Sequence, residues 1–422
     1  MLKDNPQDMP VRWRRLISFL LILFVAHGVY VYWYKLGILG AIEDGNFQLT
    51  EILISYRGGF VRRGLFGELL YQTSLATGVN GLDLGCWICL VIYLTLFGYF
   101  VVKFKERHLC WWLLCCPLMF GLTHDIVRKD FMLMWVSVGI YLLLRDPDAG
   151  VMKRIGAGLL AVFALLMHEA YIFWGIPLMV LLLLHGRHKV VSWGVVLTVA
   201  GVFVLMCVNK GSATIVRTIV DSWNNLLPDR PLTVGAHDAI NALGWDPKET
   251  FIWHFHKNIG YDYGSPGLLW RPIPFIFAYY IGINFLYTFR RESTDINQTD
   301  RTNIGMIYLM LLVCLLPMLT VLSCDFGRTQ QFAFMTVMTA FLVLSRQRIE
   351  GCFPFWYRRM VSRLNNWIDR VLPPSRGWLL VLLFLWGESR AYYDPNDGLK
   401  HSVVGGIADL IGWFYNSWTA GF

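Results

Sequence analysis

The sequence predicts an all-α, polytopic integral membrane protein with about eleven transmembrane helices and one long periplasmic loop. Three observations predict this fold class. The 422-residue chain is 56% hydrophobic and only 16% charged, whereas a soluble domain is about a quarter charged; its mean hydropathy is +0.48. Apolar runs near the length that crosses a bilayer recur along it. Lys and Arg collect in alternate connections between these runs, as in cytoplasmic loops. We interpret residues 1–422 as a single transmembrane domain.

The predicted spans follow in order from a polar N-terminal segment. The first runs from Leu16 to Leu36 and is too long for a cleavable signal peptide, with no small-residue cleavage site after it. The pair of short runs around His168 forms either two spans or one kinked helix, and residues 403–416 span, re-enter or lie flat. The later predicted spans lie near 84–102, 109–123, 131–144, 155–167, 170–185, 190–208, 273–289, 304–323, 332–345 and 377–387.

Charge asymmetry predicts the orientation of the chain. Basic connections are expected in the cytoplasm, where 346–376 forms a basic loop; the others are the N-terminus, 103–107, 145–154, 187–189 and 290–301. The opposite connections are expected in the periplasm: 37–83, 124–130, the turn at His168, 209–272, 324–331 and the tail after Glu388. The long loop 209–272 is rich in aromatic residues, which argues against disorder, so we expect it to cap the membrane face. Because the cations lie between apolar spans, nucleic acid is not an expected partner.

The stretch 56–67, YRGGFVRRGLFG, lies in the first periplasmic loop. Its arginines, Arg57, Arg62 and Arg63, have planar guanidinium groups that suit phosphate oxygens. The interleaved glycines allow sharp turns and close approach to a ligand. We expect residues 46–76 to form an interfacial helix broken at Gly58–Gly59, with Glu43, Asp44, Glu51 and Glu68 nearby. The alternative is that these arginines snorkel to lipid headgroups.

A second charged group, THDIVRKD, occupies 123–130. Asp125 and Arg128 are three residues apart and His124 and Arg128 four apart, so each pair shares a face if the segment is helical. Arg128 and Lys129 are again predicted on the outside. The alternative is a structural ion pair that closes a turn.

Two further charged pairs are predicted on the same side. His168 and Glu169 lie at the apex of two apolar half-spans, where a carboxylate costs roughly 2.5–3.5 kcal/mol on insertion scales and is usually functional. Asp325 and Arg328 are three residues apart just outside a span. The alternatives are a buried pair that orients a helix and an ordinary exposed ion pair of little energetic weight.

No metal or cofactor is expected. Cys86 and Cys89 form a CxxC inside a predicted span with no second Cys or His pair nearby, so we interpret them as apolar packing. His254 and His256 are spaced for a strand and lack a further assignable ligand. The surrounding segment, 253–264, suits either stacking on sugar rings or a membrane-interface belt.

The four charged groups converge on one membrane face, which favours a substrate with its polar head at the outer interface and its tail in lipid. Clustered arginines suit a phosphate or pyrophosphate head, and carboxylates with a histidine can accept a proton from an attacking hydroxyl. This combination predicts glycosyl transfer from a lipid-linked donor. The predicted pyrophosphate-binding residues are Arg57, Arg62, Arg63, Arg128, Lys129 and Arg328, supported by Asp125 and Asp325. The predicted bases are Asp44, His168 and Glu169.

The motifs FVRRGLFG at 60–67, HDIVRKD at 124–130 and His168-Glu169 resemble polytopic proteins encoded with bacterial O-antigen and capsule genes. The chain resembles the Wzy-type repeat-unit polymerases in particular, within the wider company of GT-C-like glycosyltransferases. That resemblance implies a bacterial inner-membrane enzyme that transfers a growing glycan from undecaprenyl pyrophosphate to a new lipid-linked repeat, without nucleotide sugar. It also implies a chain-length-regulating membrane protein as a partner.

The resemblance carries a pyrophosphate-binding role to Arg57, Arg62, Arg63 and Arg128. The chain departs from the usual Wzy layout, because it has one long outer loop instead of two and its arginines lie mainly in the shorter one. GT-C enzymes place an acidic residue in the first outer loop, which here is Asp44 or Glu43. Two alternatives therefore stay open: a GT-C-like transferase adding one sugar from a polyprenyl-phosphate donor, and a flippase for lipid-linked repeats.

Overall fold

The computed structural model describes residues 47–116, 118–120, 127–209, 211–228, 231–232, 238–246, 248–252, 254, 279–286, 298–318, 322, 326–375 and 378–379, with residues 15, 19, 22, 26, 411 and 412. These residues form α- and 3-10 helices and no β-strand, which confirms the all-α prediction for this part of the chain. Among the described residues, three helices have the length and apolar composition to cross a membrane: Gly81–Glu106, Lys189–Val208 and Gln298–Pro317. The count of about eleven spans stays a prediction.

The helices are numbered here in chain order. They are α1 (Phe47–Ile52), α2 (Gly64–Thr77), α3 (Gly81–Glu106), α4 (Asp130–Leu144), α5 (Val151–Met167), α6 (Tyr171–Trp174), α7 (Ile176–Leu184), α8 (Lys189–Val208), α9 (Ala213–Leu226), α10 (Gln298–Pro317), α11 (Phe326–Val343), α12 (Arg346–Cys352) and α13 (Phe355–Val371). The described part of the chain also has two 3-10 helices, Trp111–Cys115 and Asn241–Gly244, and residues 248–252 and 279–286 are helical as well.

The chain breaks at His168 into two antiparallel helical segments. Helix α5 ends at Met167, and His168 has an extended backbone with φ −161°. Arg154 in the first turn of α5 donates to the carbonyl oxygen of Leu183 near the end of α7, at 2.8 Å. Because the start of one helix meets the end of the other, the chain doubles back at His168 and does not form a single kinked helix. That both segments span the membrane stays a prediction.

Residues 109–120 differ from the predicted span. Their described part is the short 3-10 helix Trp111–Cys115 with a turn at 118–120, where the carbonyl oxygen of Phe120 accepts a hydrogen bond from the Tyr93 hydroxyl at 2.8 Å. The apolar run contains Pro117, which has no backbone N–H and disfavours a continuous helix. The span was predicted from apolar composition alone, and composition does not show that Pro117 interrupts the helix.

Buried arginines join the helix ends at one end of the bundle. Arg348 donates to the carbonyl oxygens of Leu144 and Leu182, at 3.1 and 2.7 Å. Arg154 donates to Ala149, Leu183 and Pro147. Terminal helix carbonyls lack intrahelical partners and carry the negative end of the helix dipole, so guanidinium groups suit them. The connections that the sequence predicts to be basic and cytoplasmic therefore meet at this end.

The described part of the long loop packs over the first loop at the opposite end. The indole N–H of Trp223 on α9 donates to the carbonyl oxygen of Leu53 at 2.7 Å. The backbone N–H of Ala239 donates to the hydroxyl of Thr50 at 3.1 Å. These contacts cover the Thr50 hydroxyl and the Leu53 carbonyl oxygen with the described part of the loop. That the loop caps a membrane face stays a prediction.

Two glycines explain the path between α1 and α2. Gly59 has φ +122°, which L side chains rarely adopt. Gly67 lies so close to residues 53–54 that a Cβ added to it would overlap the carbonyl oxygen of Ile54. The break between the helices is longer than the predicted Gly58–Gly59 kink, since residues 53–63 form an irregular turn.

We expect Gly67→Ala to destabilise the protein by about 1–3 kcal/mol, because the added methyl group overlaps the Ile54 carbonyl and pushes α2 away from residues 53–54. Thermal unfolding of the detergent-purified protein measures this. Gly98→Ala is the matched control, because no atom lies within 4 Å of a Cβ added at Gly98. Equal melting temperatures for both variants would contradict the proposed close approach at Gly67.

Candidate functional site

The site is built around an ion pair between Arg63 and Glu169, which are 106 residues apart in sequence. Arg63 Nε lies 2.9 and 2.8 Å from the two carboxylate oxygens, and Nη2 lies 2.6 Å from Oε1. Arg63 is the residue before α2 and has a left-handed backbone, φ 64°. This turn directs its side chain to the break after α5, where Glu169 follows His168.

A second carboxylate, Glu51, completes the charge arrangement. Its side chain is 1% exposed, and Oε1 lies 3.3 Å from Arg63 Nη1 and 3.1 Å from His168 Nε2. Burial alone would raise the pKa of Glu51, but the adjacent His168 imidazole and the charges of Arg328 and Arg63 hold it well below its usual range. Glu51 is therefore a buried, ionised carboxylate shared by a guanidinium group and an imidazole.

His168 is a neutral imidazole with one assigned tautomer. Its Nδ1 accepts a hydrogen bond from the backbone N–H of Ala170 at 3.1 Å. The proton is accordingly assigned to Nε2, which faces Glu51. Burial and the Arg63 charge lower the pKa of His168, outweighing the neighbouring carboxylates. Burial would raise the pKa of Glu169, but the Arg63 guanidinium reverses this and lowers it strongly.

Lys129 supports the turn that carries Arg63. Its ammonium group donates to the carbonyl oxygen of Arg63 at 2.9 Å, and the residue is fully buried. Burial lowers the pKa of Lys129 to about 8, against the opposing effect of Glu51. The neighbouring Arg128 is also buried. The 127–130 segment therefore brings positive charge beneath the first loop.

Arg328 connects the start of α11 to the start of α4. Its Nε and Nη2 donate to the two carboxylate oxygens of Asp130 at 2.7 and 2.9 Å. Its guanidinium carbon lies 5.5 Å from the ring centroid of Phe332. This fork-to-fork geometry fixes the cation close enough to act electrostatically on Glu51.

Arg62 is held more loosely than Arg63. Its side chain is 42% exposed, with Nη1 3.8 Å from Glu169 Oε1 and Nη2 3.4 Å from the carbonyl oxygen of Ala242. Burial, helped by the Arg62 charge, lowers the pKa of His254 to about 4. Arg62 is thus the guanidinium group of this cluster that lies between the first loop and the long loop.

Arg57 points to a separate pair. Its Nη1 lies 3.8 Å from Glu68 Oε1, and its guanidinium carbon lies 4.7 Å from the Tyr71 ring centroid. Glu68 Oε2 also accepts the backbone N–H of Tyr56 at 3.0 Å. Arg57 therefore fixes the turn against α2 in this structure and takes no part in the Arg63–Glu169 contacts.

The structure brings together most of the predicted site. The residues that converge are Arg62, Arg63, Lys129, His168, Glu169 and Arg328, with Arg128 beside Lys129. Asp44, Asp125 and Asp325 lie outside the described residues, as does His256. Glu51 was predicted only as one of the carboxylates of the first loop, and Asp130 was given no role. The sequence does offer a sign that Glu51 is buried and functional, because it is the single charged residue in the apolar run LTEILI, 49–54.

The cluster is suited to binding an anion. Its cations (Arg62, Arg63, Lys129 and Arg328) outnumber its carboxylates (Glu51, Glu169 and Asp130). Burial removes water that would screen these charges, so their field on a bound anion is stronger than at an open surface. The same cluster holds an ionised carboxylate beside an imidazole, which is an arrangement able to accept a proton.

Comparison of the chain with protein-family models, with curated proteins and with solved structures finds no match.

We expect Glu169→Gln to cost about 3–5 kcal/mol of stability, because it leaves a partly buried guanidinium group without its main counter-charge. Thermal unfolding of the single variants and of Arg63→Gln with Glu169→Gln tests the pair. The double variant is expected to cost less than the sum of the singles. Asp148→Asn is the control: the exposed Asp148–Arg187 pair is expected to contribute less than about 1 kcal/mol. Additive effects at positions 63 and 169 would contradict the direct interaction.

Proposed function

We propose that this protein is a membrane glycosyltransferase that polymerises undecaprenyl-pyrophosphate-linked oligosaccharide repeats into O-antigen or capsule polysaccharide. The observation that carries the proposal is the largely buried cluster in which four cations and three carboxylates surround His168: Arg62, Arg63, Lys129 and Arg328 with Glu51, Glu169 and Asp130. The reaction requires a binding site for pyrophosphate and a group that accepts a proton. The cations of the cluster suit the first requirement, and its ionised carboxylate suits the second.

The position of the cluster at the end of a candidate spanning helix supports a lipid-linked substrate. Cys207, in the last turn of α8, lies within electrostatic range of Glu169 and Arg62, and α8 is apolar over its length. A polyprenyl chain beside such a helix would remain in the bilayer while its pyrophosphate reaches the charged end. The opposite end of the bundle is the basic one, and the cytoplasmic bias of Lys and Arg supports a periplasmic position for the cluster.

The pyrophosphate is expected to bind next to Arg62, with the Arg62 guanidinium group contacting its oxygens. Both contacts of this side chain are long and its guanidinium group is partly exposed, so it is able to turn toward phosphate oxygens with little loss of existing contacts. Arg63 and Lys129 remain in place and add fixed positive charge behind it. In the reaction the bond between the anomeric carbon and the pyrophosphate oxygen breaks, and these cations stabilise the negative charge that leaves.

The proton of the attacking hydroxyl is assigned to Glu51. Both oxygens of Glu169 are occupied by Arg63, whereas Glu51 Oε2 makes no hydrogen bond to any other described residue. As the hydroxyl oxygen of the acceptor sugar bonds to the anomeric carbon, it becomes strongly acidic, so its proton passes to this carboxylate oxygen even though the pKa of Glu51 is low. Because Oε2 is buried, this step requires the site to open when the substrate binds. His168 Nε2 lies 3.1 Å from the other oxygen, Oε1. The role of Asp44 as a base remains a prediction, because it lies outside the described residues.

A strain lacking this gene tests the activity in the cell. A gel of its surface polysaccharide is expected to show acceptor bearing a single repeat, with the longer ladder absent. A repeat that itself lacks one sugar would instead indicate a single-sugar transferase, and complete repeats accumulating on the cytoplasmic side would indicate a flippase. Either of these results would overturn the polymerase proposal.

Complementation with Arg62→Glu tests the pyrophosphate site. Charge reversal is expected to reduce polymer by about 10²–10³-fold, the typical effect of losing one preorganised donor, at unchanged protein level. Arg217→Glu is the control, because Arg217 is an exposed arginine on α9 and its reversal changes the net charge equally. A full ladder with Arg62→Glu, or equal loss with both variants, would contradict the assignment.

A further inference from the structure

Helix α13 is fixed to the bundle along one face. The Tyr357 hydroxyl donates to the carbonyl oxygen of Met306 at 3.0 Å. Asn365 is fully buried and accepts a hydrogen bond from the Tyr279 hydroxyl at 2.9 Å. Asp369 accepts two hydrogen bonds from Arg301, at 2.6 and 2.7 Å. These contacts hold the helix in one orientation, so its opposite face is fixed as well.

The contacts place α13 where a candidate spanning helix changes from polar to apolar. Helix α10 begins QTDRTN, 298–303, and is largely apolar from Ile304 onward. Arg301 and Met306 of α10 contact α13 on either side of that change, and Gln298 at the start of α10 donates to Asn366 at 2.8 Å. Gly305 lies between Arg301 and Met306, and a Cβ there would contact Val361 and Asn365. Since α10 has the composition to enter a bilayer at this point, α13 lies at the level of the interface.

The outward face of α13 carries two parallel stripes. At 100° per residue, Trp356, Met360, Trp367 and Val371 share an apolar stripe, with exposures of 65%, 41%, 59% and 65%. Arg359, Arg363 and Arg370 share the neighbouring stripe and are exposed. Two exposed tryptophans in one stripe are unusual for a water-facing surface. The apolar stripe lies between the face packed on α10 and the basic stripe.

We propose that α13 is an interfacial helix that binds the headgroups of anionic phospholipids. The tryptophan stripe enters the boundary between headgroups and acyl chains, and the arginine stripe meets phosphate groups above it. The occupant is a lipid surface because the stripes match the two layers of a bilayer interface and because α10 fixes the helix at that depth. This inference concerns the basic end of the bundle and does not rest on the proposed polymerase activity.

Native mass spectrometry of the full-length protein with added phosphatidylglycerol or phosphatidylcholine tests the arginine stripe. The variant Arg359→Gln/Arg363→Gln/Arg370→Gln is expected to bind phosphatidylglycerol at least about tenfold more weakly, with phosphatidylcholine unchanged. The control is Lys105→Gln/Arg145→Gln/Lys153→Gln, which also removes three exposed cations and is expected to retain binding. Equal weakening in both triple variants would overturn the proposal by showing only a net-charge effect.

Hydrogen exchange of the full-length protein in nanodiscs locates the lipid contact. Amides of 355–372 are expected to exchange more slowly in phosphatidylglycerol than in phosphatidylcholine, and this difference is expected to vanish in the triple arginine variant of α13. Identical exchange in both lipids, or protection that follows dimer formation and not lipid charge, would assign this face to a protein partner and overturn the proposal.

Discussion

The ion pair between Arg63 and Glu169 is the interaction on which the arrangement of this end of the molecule depends. It joins Arg63, in the loop before α2, to Glu169, in the break between α5 and α6. The pair can therefore form only when both the loop and the break have folded. Glu51 and Lys129 attach to the same arginine through its side chain and its carbonyl oxygen. A buried charge without its partner is costly, so each of these contacts constrains the others and the cluster forms as a unit.

Buried arginines act in two ways at the ends of the bundle. At the basic end, Arg154 and Arg348 donate to backbone carbonyl oxygens, while Arg301 forms a forked pair with Asp369 that fastens α13 to α10. At the other end, Arg63 and Arg328 are paired with carboxylates through their forked geometry. Helices that cross a bilayer satisfy their own backbone groups inside it, so polar contacts concentrate where the helices end. The first arrangement stabilises the fold, whereas the second gathers opposite charges in a buried site where chemistry is possible.

Sequence periodicity and charge predicted the helical class, the break at His168 and the convergence of Arg62, Arg63, His168 and Glu169. These features depend on local composition or on which side of the membrane a connection lies. The position of Glu51 in the cluster was missed because its partner His168 comes from a segment distant in sequence. Arg57 was expected in the cluster, but it pairs locally with Glu68. The irregular path of 109–120 was missed because apolar composition does not specify helix continuity.

The most direct measurement of the central claim is polymerisation by the purified protein in liposomes supplied only with undecaprenyl-pyrophosphate-linked repeats. The account predicts a ladder of products spaced by one repeat, formed without nucleotide sugar and with release of undecaprenyl pyrophosphate. It further predicts that Glu51→Gln protein binds the lipid-linked repeat but forms no ladder. Failure of the folded wild-type protein to extend the repeat, or full activity of Glu51→Gln, would contradict the account.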